Sequence, residues 1–478
     1  MLAKRSDYMV ASNHVMARSI QSEIENRLHL FDYTLSKLSE LTHINNGHLS
    51  GFLNGNPSRA LTIAQLDAIA NVFEEPSGWL YELYADECFP KGRVSRRRVC
   101  PYLIRCVEIG RHDCITPVVS ILLENRKNLE ILFFVAEQLF QKGKYEESTY
   151  FYQLVIDNEK DSFSERFIMS HYRLFRALQE TDIEENWEAV IRFESYRKRL
   201  SERHQLDALL QLANVCFTLH KWKEVEKYSD ELRKLATLIY RNERCKQQNN
   251  RVFQPLKTER HLVVYYGQGY LLKAVALEKQ GQYAEAKEFV SGYADLSWFE
   301  LLDESGQAEV DKFKLWATAN LYALDILMGN TSVLADYITF LEDYPTEILS
   351  GLVTIMTSAN NHGFFIDHLL ERFSAEIRSF DDSHDPINVD RHLRFRYDLA
   401  IYHFQNDRFE NGIIDTLRCL DLSIVMNNQK KFIRCVTLFE AHRYHATEQQ
   451  KREYKKLMEE VRNDEGIFSI ASNGLWSV

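Results

Sequence analysis

One pattern recurs along this chain and limits its fold more than any other feature: an apolar helix carrying a small residue, a tight polar turn, and a second helix. It is clearest from Leu129, where Ala136, Leu139 and Phe140 precede Gly143-Lys144-Tyr145-Glu146-Glu147-Ser148 and then Tyr152 and Val155. Variants follow at Ala213, Leu219 and Trp222-Lys223-Glu224-Val225, at Ala274, Leu277 and Gly281-Gln282-Tyr283, and at Ala400, Phe404 and Arg408-Phe409-Glu410. Weaker units run from Tyr172 to Leu200, Phe313 to Leu341, Ile348 to Phe373 and Phe432 to Val461, with a longer insertion from Tyr240 to Arg260. A pair of helices this short buries its apolar face only against the next pair, so the repetition predicts a stack rather than one globule.

The unit resembles the tetratricopeptide repeat, and the resemblance implies a right-handed α-solenoid over residues 129–463 whose first helices line a concave surface. If Ala213 and Ala319 fill the small-residue position, Asn214 and Asn320 face inward, where an amide offers both donor and acceptor to an extended peptide. The same register brings Arg176, Gln179, Gln211, Thr218, Glu278, Trp316, Tyr397 and Asp398 to the groove as candidate peptide contacts. Asparagines satisfied within the array are the equal alternative.

Ahead of the array, Leu35, Leu38 and Leu41 fall on one helical face behind the N-cap Thr34. A turn through His43 and Ile44 leads to a second short helix capped by Asn45 or Asn46, carrying Leu49, Phe52 and Leu53 and closing at Asn54-Gly55. Ile20 to Leu30 supplies an earlier helix, Leu61 to Phe73 a later one, and Pro76 to Tyr84 a closing one. This run resembles the Cro/repressor family, which implies a five-helix, Cro-type helix-turn-helix domain over residues 1–88 that presses its second short helix into a major groove. Asn45, Asn46, His48 and Ser50 would read bases, and Thr34, Lys37 and Arg59 would hold phosphates. Gly47 and Gly51 stand where longer side chains often reach the bases. Two ordinary short helices of an all-helical protein are the plainer alternative.

Charge favours the front of the chain for meeting nucleic acid. Residues 1–100 hold as many bases as acids, so the whole net charge of −11 lies beyond them. Residues 89–128 read as a linker and the first array helices. Their run Lys91-Gly92-Arg93-Val94-Ser95-Arg96-Arg97-Arg98 suits either the phosphate backbone or a solvated connection. Eight cysteines without a CxxC pair read as reduced, mostly buried thiols. No apolar run long enough to span a membrane and no secretory leader is seen, so a cytoplasmic protein is expected. HExxH, GxSxG and P-loop motifs are missing, Gly267-x-Gly269 lacks the rest of a nucleotide fingerprint, and Asp381-Asp382-Ser383-His384-Asp385 reads as a loop before a helix. No catalytic residue, metal or cofactor is expected.

A Cro-type domain ahead of an acidic tetratricopeptide-like array is similar in layout to the peptide-pheromone receptors of Gram-positive bacteria, the Rap/Rgg/NprR/PlcR/PrgX group; the phage arbitrium receptors share the plan. The resemblance rests on domain order and on Asn214 and Asn320. It implies an all-α, homodimeric transcriptional regulator that binds double-stranded operator DNA and a short signalling peptide, with a role for the tail 464–478 left open. The alternative is a repeat scaffold for a protein partner such as a response regulator, with DNA binding secondary.

Overall fold

In the computed structural model, residues 18–54, 60–178, 183–249, 256–380, 386–426 and 428–463 are described, and among them every regular element is helical. Five helices open the chain: α1 (Ile20–Leu30), α2 (Leu35–Thr42), α3 (Asn46–Leu53), α4 (Ile63–Val72) and α5 (Tyr81–Glu87). Ser19 and Thr62 start α1 and α4 with capping boxes, in which the cap hydroxyl accepts from the third backbone N–H and the residue there returns a bond. Helix hairpins follow: α6 (Arg96–Glu108) with α7 (His112–Leu123), α8 (Leu129–Gln141) with α9 (Tyr145–Asn158), and α10 (Glu165–Ala177) with α11 (Ile183–Glu194). Helix α12 (Glu202–Thr218) leads from the first compact unit, ending at Ala208, into the second, beginning at Leu209.

The second unit continues with α13 (Trp222–Asn249), α14 (Leu262–Lys279), α15 (Tyr283–Ala294), α16 (Glu304–Leu327), α17 (Leu334–Asp343) and α18 (Ile348–His362). The short α19 (Asp367–Arg372) and α20 (Ser374–Ser379) precede α21 (Pro386–Gln405), α22 (Phe409–Val425), α23 (Gln429–His442) and α24 (Glu448–Asn463). Within each unit, packing is dominated by helices next to one another in the chain, as in a stack of hairpins. All eight repeat segments read from the sequence fall on consecutive helices, and the first ten residues of the insertion expected after Tyr240 continue α13 to Asn249.

A single turn geometry closes many of these hairpins. Backbone N–H groups of Arg111, Lys144, Lys221, Gln282, Asn330 and Arg408 each donate to the carbonyl five residues earlier at 2.8–3.0 Å. The residue before each donor is left-handed: Gly110, Gly143, His220, Gly281, Gly329 and Asp407, with φ from 54° to 83°. This is the closure that satisfies orphan carbonyls at a helix C-terminus. Glycine takes the conformation at no steric cost, whereas His220 and Asp407 adopt it against their preference. The small residues ahead of four of these turns, Ala136, Ala213, Ala274 and Ala400, are all buried, as the repeat pattern requires.

The first unit contains a continuous apolar core that runs from Ile20 and Leu38 through Tyr84 and Tyr102 to Leu139 and Val155. Helices α6 and α7, within residues 89–128, therefore pack into the same core as α1–α5, and the first compact unit extends to Ala208. Arg105 and Tyr81 both bind the Asp67 carboxylate, at 2.8 and 2.7 Å, and Arg111 bonds the Gly78 carbonyl at 3.0 Å and Glu82 at 3.1 Å. In the second unit one core gathers α16–α18 with α21, and another gathers α21–α24. Seven of the eight cysteines are buried thiols and Cys245 is exposed. Among the described residues no helix is long and apolar enough to cross a membrane.

Gly267 and Gly269 lie inside α14 and have a packing role. A Cβ on Gly269 would come within 2.9 Å of the Arg233 backbone nitrogen, and one on Gly267 would enter the Phe313 ring. Two buried histidines bear on stability. Burial pushes His171, stacked on Tyr196 at 3.9 Å, down to about 4, and burial with Arg408 beside it does the same to His403. Both rings fold neutral and bind a proton more readily once unfolded, where their ordinary value is 6.5. Stability is therefore expected to fall as pH drops from about 6.5 towards 4. Urea midpoints at pH 7.5 and 5.0 test this, and equal midpoints would contradict it.

Candidate nucleic-acid and peptide interfaces

At the N-terminal end, Thr34 caps α2 by accepting from the Lys37 N–H at 3.2 Å, and His43 ends it in the left-handed conformation with φ 57°. Ile44 turns inward and is 5% exposed, with its carbonyl held by the Ser39 hydroxyl at 2.5 Å. Asn45 caps α3 through the His48 N–H at 3.3 Å. Helix α3 buries Leu49, Gly51 and Phe52 and exposes Asn45, Asn46 and Gly47, with His48 and Ser50 half-buried. Gly51 therefore packs inside and does not occupy the outer face, a correction that follows from its sharing the helical stripe of Leu49 and Phe52.

The polar groups of this face are loosely tied. Asn46 donates to Ser36 Oγ at 3.4 Å, His48 Nδ1 lies 3.4 Å from Gln65 Nε2, and Asn54 donates to Ser50 at 3.0 Å. Lys37 pairs with Glu40 at 3.0 Å on the exposed side of α2. Arg59 lies outside the described residues. In the basic run, Arg96 is bound to Glu130 at 3.0 Å and lies over Phe134, and Arg98 is bound to Glu87, so two of its cations have partners within the protein. The face offers amide, hydroxyl and imidazole groups with little net charge.

On the repeat units, the structure spends several candidate peptide contacts on internal bonds. Arg176 is joined to the buried Asp207 and to the Tyr172 hydroxyl. Asn320 donates to the Tyr293 hydroxyl at 2.7 Å; on the same helix Ala317 is 1% exposed and Ala319 half-buried. Glu278 holds Lys279 at 2.8 Å and Trp316 packs edge-on against Phe313. Gln211 and Asn214 are half-buried and Thr218 is exposed, its hydroxyl turned back to the Asn214 carbonyl. Tyr397 and Asp398 meet in one cluster with Thr357, whose hydroxyl lies 2.7 Å from Asp398. Gln179 and the tail 464–478 lie outside the described residues, as does the acidic stretch 381–385.

The first unit holds a cavity of about 500 Å³ that sequence reasoning missed, lined from α8, α10 and the start of α12. Glu137, Arg166, Met169 and Arg173 form much of its wall, with His204 at one side. Glu137 accepts from the Tyr152 hydroxyl at 2.6 Å and from Arg173 at 3.0 Å, and the Arg173 guanidinium lies over Phe140. These are the first helices of successive hairpins. The usable signal was the spacing of Arg166, Met169 and Arg173 on one face of α10, the face that also carries Arg176.

No family model and no curated protein matches this chain. Among solved structures it aligns with one described as "Circular tandem repeat protein with novel repeat topology and enhanced subunit contact surfaces", at 11% identity over 93% of this chain and 99% of that one. The TM-score is 0.21, too low for the likeness to carry any argument.

Proposed function

We propose that this protein is a peptide-responsive, sequence-specific DNA-binding regulator, with a Cro-type helix-turn-helix in α1–α5 and a tetratricopeptide-like, right-handed array behind it. The observation that carries the reading is the pair α2 and α3, with the buried Ile44 in its turn and the exposed Asn45-Asn46 end of α3 free to face a major groove. Two copies, in a homodimer, would read two half-sites. A short peptide on the first helices of the hairpins would favour one arrangement of the array, which requires that it bind the alternative arrangements with different affinity. The cytoplasm is the compartment this function needs.

Selection of binding sites from random double-stranded DNA with the full chain tests the first half. One enriched motif is expected, and Asn46→Ala should lower affinity for it by about 5- to 150-fold, the worth of one bidentate adenine contact. Asn46 is the right probe because Asn45 also caps α3. Selection that enriches nothing rejects the reading. Lys37 is the sole Lys or Arg of α2 and α3 and is tied to Glu40, so the salt dependence should be shallow. That same scarcity of charge favours, as a second reading, an array that grips a protein partner. Under it Asn46→Ala leaves partner capture unchanged.

A further inference from the structure

Cations in these units usually have carboxylates. Lys273 is held by Glu226 and Asp230, Arg173 by Glu137, and Arg396 by Asp415. One place departs from this. Arg394 on α21 and Lys431 and Arg434 on α23 converge on Tyr397 and Asp398 of α21, beside Thr357 of α18. Lys431 Nζ lies 5.0 Å and the Arg434 guanidinium carbon 5.2 Å from the Tyr397 ring centre, and Arg394 reaches the Thr357 hydroxyl at 3.5 Å. None of the three forms an ion pair with a described residue at salt-bridge distance, although two of them share one aromatic ring.

The local charge is therefore positive whether or not Asp398 is ionised. Burial holds the Lys431 ammonium below its ordinary value, against the pull of Asp398, while Arg434 and Arg394 press it further down. Burial also lifts the Asp398 carboxyl above the usual carboxylate range, in spite of Thr357 and the three cations beside it. Among the described side chains Asp398 is the one acid facing these three cations, and an incoming anion would relieve the repulsion among them. Guanidinium forks and an ammonium are the groups that recognise a carboxylate. Next to them Asn360 donates to the Asp398 carbonyl at 2.8 Å, and its own Oδ1 has no partner.

We propose that Arg394, Lys431 and Arg434 form an anchor for a carboxylate of a short peptide, either its C-terminus or an acidic side chain. The inference rests on the reading of the repeat hairpins as a peptide receptor. It adds to that reading the charge the peptide must carry and the hairpins that hold it.

Three pools of random heptapeptides test it on the full-length protein: free-acid peptides without Asp or Glu, carboxamides without Asp or Glu, and carboxamides containing them. Peptides that co-elute with the protein on gel filtration are counted by mass spectrometry. Retention of the first or the third pool at least about tenfold above the second is expected, consistent with bonds to a charged group, and which of the two wins identifies the source of the carboxylate. Arg434→Gln, at an exposed position, should reduce that preference without shifting the thermal midpoint, Lys431→Met should abolish it, and Lys431→Arg should keep it. Equal retention of all three pools overturns the carboxylate anchor and leaves the peptide-receptor reading standing. Retention of none overturns both.

Discussion

Asp415→Ala is expected to destabilise the second unit by about 3–5 kcal/mol, the cost of removing one partner from a buried ion pair. Asp415 and Arg396 are each 5% exposed, and the guanidinium meets the carboxylate at 3.1 Å while donating to His392 at 3.0 Å. His403 reaches the second carboxylate oxygen at 3.5 Å. Alanine removes the negative charge from between α21 and α22 and leaves the cation in a medium that solvates it poorly. The double change Arg396→Met with Asp415→Leu should recover most of the loss, because replacing both partners of a buried pair is often neutral. Chemical denaturation followed by circular dichroism measures both. A single variant within 1 kcal/mol of the wild type would show that water reaches the pair.

The same region shows what the sequence made legible. Helix periodicity and the small residues Ala136, Ala213, Ala274 and Ala400, all buried, were enough to place the strong hairpins. Glycine announced the turns at Gly143 and Gly281. It could not announce those at His220 and Asp407, where a side chain tolerates the same left-handed backbone, and the repeat there rested on the flanking pattern alone. At α16 the pattern was ambiguous, since Ala317, Ala319 and Ala323 all offer a small side chain, and nothing in the sequence pairs Asn320 with the Tyr293 hydroxyl 27 residues before it. The partner of Arg176 was hidden for a different reason. A cation at a plausible inward position says nothing of the buried Asp207, which lies 31 residues further along the chain.

The N-terminal helices were read well because their signals are local: Thr34, Asn45 and Thr62 cap the helices they precede, and each of those bonds spans three residues. What sequence reading did not supply is how these helices connect to the hairpins after them, because the residues responsible look like ordinary core. Polar and basic residues from 91 to 98 suggested a connection in solvent, yet Val99, Tyr102, Leu103 and Cys106 on the next three turns are buried against α4 and α5. An amphipathic helix with a charged first turn and an apolar stripe behind it produces both impressions.

Tyr102→Ala should therefore loosen α4–α5 and α6–α7 together, at a cost of about 3–5 kcal/mol for truncating a large buried ring. Tyr102 is fully buried, stacks near Tyr84 at 5.7 Å and Tyr81 at 5.8 Å, and donates its hydroxyl to the Tyr81 carbonyl at 2.9 Å. Losing it opens a cavity where the two sets of helices meet and leaves that carbonyl short of its donor. Hydrogen exchange by mass spectrometry would read the outcome. Protection should fall over residues 63–87 and 96–123 alike, and DNA affinity should fall with it although Tyr102 is nowhere near the exposed face of α3. Loss confined to 96–123 would mean that α1–α5 fold on their own, joined to the hairpins by contacts of little weight. Under the shared core, any displacement of α6–α9 by a bound peptide must carry α4 and α5 with it, through Tyr102, the Asp67–Arg105 pair and the Arg111 bonds to Gly78 and Glu82.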